Sequence, residues 1–322
     1  MAPNTMTDPT RRTRAGRVRP PAAASLPTRR PMRRSDAGWA LLLVGPATVG
    51  LSLFYLWPAL ETFYESFTTS GPFGGHTWSG LHNYATLLHD TELRGALLNT
   101  VWYTLFGLLG VPVSLVLATL LAKPGRRFVA GYRVLMFLPA VTMPAAIAIV
   151  WKWLYHHDYG LINLGLGKLG AQGPYWVSDP HTALIAVAIV GMWAGIGYGV
   201  IIMMAGLEGI PPHYYEAAKM DGAGPLRRFF SITIPLMSPT IFFMTVLSVI
   251  ASLQTFDLIY VLIGSSNPSL PQTRTVLYLF YEHAFTQNDR GYGSAIAFSL
   301  VVLVIAVTAV QFKLQKRWVH YE

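Results

Sequence analysis

The chain has 322 residues, 52% hydrophobic and only 12% charged. That is about half the charged share of a soluble domain, which excludes a water-soluble globule. The absence of cysteine excludes disulfides, thiol chemistry and cysteine-ligated metals. A net charge of +9 would suit a nucleic-acid binder, but nine arginines crowd into residues 1–38, so the charge excludes that partner rather than supporting it.

Residues 1–38 are rich in Arg, Pro, Ala and Thr and poor in apolar side chains. They read as a disordered cytoplasmic arm able to rest against anionic membrane lipids. Six apolar runs follow, at about 39–60, 97–121, 134–153, 182–207, 238–263 and 292–312. Roughly 20 such residues cross a hydrocarbon core ~30 Å thick. The runs are continuous rather than alternating, so they predict helices and not barrel strands. The first run and its leader are too long for a cleaved signal peptide, which makes it a retained anchor. The fold class is all-α: a polytopic membrane protein with six transmembrane helices in a domain over 39–318, and a short cytoplasmic end at 319–322.

Charge sets the orientation. With the N-terminus inside, nineteen of the 24 Lys and Arg residues fall in inner segments. Only Arg94, Lys152, Lys168, Arg274 and Arg290 fall in outer ones. The positive-inside rule then puts both termini in the cytoplasm. Pro46, Gly110, Pro112, Pro139 and Pro144 lie inside spans. They permit either close packing with gentle kinks or the broken helices that line transporter cavities. Gly191, Gly195, Gly197 and Gly199, interleaved with Trp193 and Tyr198, form the densest such cluster. No internal repeat is evident.

Between the fourth and fifth runs, residues 208–237 form a charged inner loop. Pro212 can open a helix, and His213 to Asp221 are good helix formers in which Glu216 and Lys219 can pair. Gly222-Ala223-Gly224 breaks that helix, and Pro225 opens another with Leu226, Phe229 and Phe230 on one face. A stiff helix–glycine–helix loop can dock in a partner's groove or lie on headgroups. Elementary physics leaves both open.

The order Glu216-Ala217-Ala218, Asp221-Gly222-Ala223, Ile232 and Pro235 resembles the EAA loop of permease subunits in binding-protein-dependent ATP-binding-cassette importers. Ile234 stands where leucine is more usual. Leu253 to Leu262, Gly80-Leu81-His82-Asn83-Tyr84 and Gly291-Tyr292-Gly293-Ser294-Ala295 are similar to the carbohydrate-uptake branch of that family, the maltose and glycerol-3-phosphate type. Gly264-Ser265-Ser266-Asn267-Pro268 departs from the branch's usual Thr-Gly-Gly-Gly-Pro. The resemblance covers about 39–318. It implies a type I importer permease fold and a plasma-membrane subunit of a bacterium. Implied partners are a second, homologous permease, two copies of an ATPase and an extracytoplasmic solute-binding protein. ATP and Mg would sit on the ATPase, with no cofactor in this chain. It further implies that Glu216 meets a basic residue of the ATPase and that Gly222 sets the angle between the short helices.

A charged residue at a helix centre is costly, so it usually faces a cavity or partner. Asp257 is the one acidic residue within a predicted span, near its outer end, and Gln254 sits one turn earlier on a similar face. Sugar sites combine aromatic faces with amides and carboxylates. Trp193, Tyr198, Ser252, Gln254, Asp257 and Tyr260 fit that chemistry, with Asn99 a weaker candidate. For Asp257 the favoured role is a structural bond to a neighbouring helix or loop. Gly165-Leu166-Gly167-Lys168-Leu169-Gly170 matches a dinucleotide-binding spacing but has no strand before it. His156-His157-Asp158 reads as a solvated turn. No phosphate-cradling Gly-Lys-Ser/Thr loop is present, so the chain is expected to be no enzyme. An ion- or proton-coupled secondary transporter would need ionisable groups deep in several spans; an integral membrane enzyme would need a His, Asp or Glu cluster at one face.

Overall fold

A computed structural model of the chain describes residues 34–70, 75–122 and 129–318. Most of the arm expected over 1–38, and the end at 319–322, lie outside the described residues. The chain is already helical at Arg34, a few residues earlier than composition suggested. The chain divides after Leu56 into two units. The first unit is α1 (Arg34–Leu51), with Pro46 inside it, continued by a π-helical turn over Ser52–Leu56. Its apolar side chains, Leu41, Leu43 and Phe54 among them, are exposed, as a helix against lipid requires.

The second unit begins with α2 (Trp57–Glu65) and a two-stranded ribbon, β1 (Thr68–Ser70) and β2 (His76–Trp78). The strands run antiparallel, with Thr68 opposite Trp78 and Ser70 opposite His76. Next come α3 (His82–His89), α4 (Thr91–Leu108), α5 (Gly110–Leu121), α6 (Val129–Val141), α7 (Pro144–Leu154), α8 (Leu161–Lys168) and α9 (Ala183–Glu208). The chain continues through α10 (Pro212–Met220), α11 (Pro225–Arg228), a π turn at Phe229–Thr233, α12 (Ile234–Leu236) and α13 (Ser238–Leu253). It closes with α14 (Asp257–Leu262), a 3-10 turn at Leu270–Gln272, α15 (Val276–Tyr281), a π turn at Glu282–Thr286 and α16 (Arg290–Trp318).

Four stretches are long and apolar enough to cross a membrane uninterrupted: Leu41–Glu65, Thr91–Leu121, Ala183–Glu208 and Arg290–Lys316. Two more are bent pairs, Val134–Val141 with Pro144–Leu154 at 109° and Pro225–Leu236 with Ser238–Leu253 at 70°. Counting each pair once yields the expected six. The bends are the main departures from the sequence reading. The third run is not one helix: Pro144 has no N–H to give and its ring disfavours α geometry at Met143, so the helix ends and restarts there. The fifth run stops at Leu253, and α14 begins only at Asp257. Gln254 and Asp257 therefore do not share a helical face. The second run starts at Thr91 instead of 97, where Asp90 caps the helix by accepting a hydrogen bond from the Glu92 N–H at 2.7 Å.

The core gathers around α9. Ala183, Ala186, Val187 and Val190 are fully buried against Ile147, Tyr103, Ile259 and Leu262. Further along, Val200 and Met203 pack with Val111, Leu115, Met237 and Met244. A third cluster joins α3, α4, α15 and α16 through Leu87, Ala96, Leu279 and Ile296.

The two branch-like motifs near the ribbon are explained by contact. Asn83, buried, donates through Nδ2 to the Ser66 and Thr68 carbonyls at 2.9 and 2.8 Å. A Cβ on Gly291 would lie 2.0 Å from the Thr68 carbonyl oxygen, so only glycine lets α16 approach β1. The Tyr292 hydroxyl donates to the Asp90 carboxylate. Burial pushes the Asp90 carboxyl upward, but the Tyr292 hydroxyl and the Glu92 and Leu93 amides outweigh it and hold it below the usual range. A depressed carboxyl contributes stability that is present above its unfolded value of about 3.9 and is lost as pH falls through the folded value. Melting of the detergent-solubilised protein is therefore expected to drop on acidification below about pH 4, and Asp90→Asn to flatten that limb. Identical acid limbs in the two proteins would contradict this.

Arg274, nearly buried, bridges Glu92 at 2.9 Å and Glu282 at 3.2 Å, while its carbonyl accepts from the Asn99 amide at 3.0 Å. Asn99, a weaker candidate for substrate contact, thus holds the loop before α15. His156 and His157 stack on Tyr159 and Tyr175.

Candidate functional site

A cavity of about 600 Å³ opens among α4, α5, α7, α9 and α13, within the ~300–1,000 Å³ typical of ligand sites. One wall is the bend itself, with Pro139, Thr142 and Pro144. The α9 wall is Gly191, Ala194, Gly195 and Tyr198, spaced i, i+3, i+4 and i+7 on one helical face. The small residues leave the room and Tyr198 projects a ring into it. Ser248 and Ser252, one turn apart, face it from α13, and Gln254 lies just past that helix. Tyr103 completes the polar rim; its hydroxyl accepts from the Thr255 hydroxyl at 3.3 Å.

The four clustered glycines serve different neighbours. A Cβ on Gly191 would fall 2.1 Å from the Tyr103 hydroxyl, and one on Gly199 2.4 Å from Ser114 Oγ. On Gly197 it would fall 1.9 Å from the Met136 carbonyl oxygen, whereas on Gly195 it would meet nothing within 4 Å. The stretch is thus both a packing seam and a cavity wall.

Of the six side chains singled out for substrate contact, Tyr198, Ser252 and Gln254 line this cavity. Trp193 instead packs edge-on against Trp151 at 5.4 Å. Tyr260 joins Phe256, Tyr278 and Tyr281 in an aromatic cluster. Asp257 is exposed at the start of α14, outside the cavity wall. Tyr103, Ser248 and Thr142 were missed by sequence reasoning. For Ser248 the i, i+4 spacing to Ser252 was a usable signal; for Tyr103 and Thr142 no local one existed.

The second feature is the elbow of α10 to α12. Pro211 and Pro212 start α10, and its end is a Schellman cap. The Gly222 N–H bonds to the Lys219 carbonyl at 3.0 Å and the Ala223 N–H to the Ala218 carbonyl at 2.9 Å. Gly222 takes φ +74°, the left-handed conformation that glycine adopts at least cost. The Asp221-Gly222-Ala223 core of the motif is therefore a helix stop. Tyr215 and Thr233 share a hydrogen bond of 3.0 Å, tying α10 to the π turn. Tyr214, Tyr215, Phe229 and Ile234 pack into the cluster of Met203, Met204 and Met237. The apolar face expected of Leu226, Phe229 and Phe230 is split: Phe229 turns inward, while Leu226 and Phe230 are exposed. Glu216, Ala217, Asp221 and Gly222 are exposed, Ala218, Ala223, Ile232 and Pro235 half-buried, and Met220 is 88% exposed. Glu216 and Lys219 form no ion pair; both ion pairs among the described residues use Arg274.

Membrane-length helices, a broken span beside a cavity and a capped, exposed elbow fit a permease subunit. Residues 110–320 match the family described as "Binding-protein-dependent transport system inner membrane component". The chain is 34% identical to the sn-glycerol-3-phosphate transport system permease protein UgpA of Escherichia coli, over 87% of this chain and 95% of that protein. It is 33% identical to the sulfoquinovosyl glycerol transport system permease protein SmoG of Agrobacterium fabrum, over 85% and 89%. Its fold is shared with a chain of a bacterial ABC transporter that imports the acidic polysaccharide alginate, with a TM-score of 0.77, 20% identity and coverage of 88% and 96%. The chain belongs to the inner-membrane components of binding-protein-dependent transport systems. It is a multi-pass plasma-membrane permease subunit that works with a solute-binding protein, and not a secondary transporter.

Proposed function

We propose that this chain is one of two homologous permeases in a sugar importer driven by two copies of a separate ATPase, where ATP and Mg would bind. The elbow carries this reading. Glu216, Ala217, Met220, Leu226 and Phe230 form a mixed charged and apolar surface on a capped helix, suited to a groove on a partner. Both termini and the elbow lie on the cytoplasmic side in this reading, in line with the charge asymmetry. Motion of the elbow passes through Tyr215, Phe229 and Met237 to α9 and α13, the two helices that wall the cavity. Tyr198, Ser252 and Gln254 offer substrate contacts from this half of the pathway. In this reading Trp193 and Tyr260 remain candidates for the substrate pathway, and Asp257 a candidate contact for the cargo or the binding protein at the outer mouth. The names of the related permeases support a sugar or polyol derivative as cargo.

The test is reconstitution. The chain is expected to co-purify with a second permease and an ATPase, and uptake into proteoliposomes to require internal ATP. The native chain lacks cysteine, so a single cysteine at Met220 would report orientation. It is expected to react with an impermeant thiol reagent only from the cytoplasmic side, and less once the ATPase is bound. Uptake by the chain alone in ATP-free vesicles would refute the proposal.

A further inference from the structure

We infer that the cargo passing this subunit is an uncharged polyhydroxylated molecule, unlike glycerol phosphate or alginate. The inference rests on the importer reading above. Among the described residues, the cavity wall carries no Lys, Arg, His, Asp or Glu. Nearby charges point elsewhere. Lys152 donates to the Val261 carbonyl at 3.4 Å, Asp257 is exposed outside the wall, and Arg274 is held by two glutamates. A phosphate or carboxylate entering a protein interior needs a cation or several charge-assisted hydrogen bonds to offset its lost hydration. This wall supplies none of the cations.

What it supplies suits hydroxyl groups. Among the described residues, the side chains of Tyr198, Ser248, Ser252 and Gln254 have no hydrogen-bond partner. Each can donate and accept, as a sugar hydroxyl does. Tyr103 accepts from Thr255 and keeps its own proton to donate. Between these groups lie Gly107, Gly195, Leu247 and Ala251, a surface for the C–H faces of a ring. The groups come from three helices, so a bound ring would be met from several sides.

The experiment uses the complete importer with its own partner subunits and binding protein, in proteoliposomes loaded with ATP. The probes are matched pairs: glucose and glucose 6-phosphate, glycerol and glycerol 3-phosphate, and neutral and uronate disaccharides. At least one neutral probe is expected to be taken up roughly tenfold or more above its anionic partner, the factor that corresponds to ~1.4 kcal/mol. Ser248→Lys and, independently, Gln254→Lys are expected to reduce that neutral uptake by a similar factor and to narrow or reverse the preference. Ser248→Ala should retain the preference. Equal or better uptake of the anionic member by the native complex would overturn the inference. An unchanged preference in assembled Gln254→Lys complexes would also overturn it, by placing selectivity outside this wall. Both results leave the importer reading intact. ATP-dependent uptake of no probe overturns the sugar assignment, and ATP-independent uptake overturns the importer reading itself.

Discussion

Gly222→Val is expected to cut ATP-coupled uptake at least about tenfold while leaving membrane insertion and the level of the chain unchanged. The reason is backbone conformation. At φ +74° an L-residue pays about 1–2 kcal/mol, and a β-branched one pays more. A Cβ here meets nothing within 4 Å, so no core contact is disturbed. The strain can be relieved only by unwinding the cap, which releases the hydrogen bonds from the Gly222 and Ala223 amides to the last turn of α10. Freed of that stop, α10 no longer presents Glu216 and Met220 at a fixed angle. Asparagine tolerates left-handed backbone, so Gly222→Asn should keep most of the uptake. Three readouts separate the possibilities: transport, ATPase co-purification and abundance in the membrane. Native transport by Gly222→Val would show that the cap plays no part in coupling. A drop in abundance alone would mean that the glycine serves insertion.

The spans and the elbow were legible in the sequence because both depend on local rules. Apolar runs of membrane length, proline at a helix start and glycine at a helix stop act within a few residues. What was not legible depends on partners distant in the chain. The Tyr292–Asp90 bond joins residues 202 apart, and Arg274 finds Glu92 across a similar gap. The breaks at Met143 and at Gln254 to Phe256 both fall inside runs read as single spans. Pro144 signalled the first; the polar Gln254, Thr255 and Asp257 marked the second, but Gln254 and Asp257 were read as groups on one helical face rather than as a helix end. There Thr255 is drawn aside, its hydroxyl donating to Tyr103 and its carbonyl accepting from Thr275. The same break separates Gln254, which reaches the cavity, from Asp257, which does not. The departure at Gly264 to Pro268 also acquires a role. Asn267 donates to the Val177 carbonyl at 3.0 Å and so ties two distant loops together.

Gly197→Val tests the other half of the machinery, the seam between α6 and α9, and its effect should exceed that of any substitution inside the cavity. A Cβ at this position would lie 1.9 Å from the Met136 carbonyl oxygen and 2.8 Å from its carbon. Those are backbone atoms of a helix, so no side-chain rotation relieves the clash, and α6 itself must move. Close approach through small residues is the main source of helix affinity in a bilayer, where apolar burial against lipid contributes little. Overpacking of this kind costs about 1–3 kcal/mol or more. At roughly 2–4 °C per kcal/mol, the melting point should fall by several degrees. Because α6 ends at the 109° bend that closes one side of the cavity, its displacement should also lower uptake at least about tenfold, since each ~1.4 kcal/mol carries that factor. Gly195, half a turn away, is the control. Gly195→Ala adds a methyl group to open cavity and removes a helix glycine, which favours the helix by about 0.8–1.0 kcal/mol. Its melting point should hold or rise while uptake falls in proportion to the space filled. If the two variants melt alike, α6 and α9 do not meet at Gly197, and the cavity loses the wall that the bent span provides.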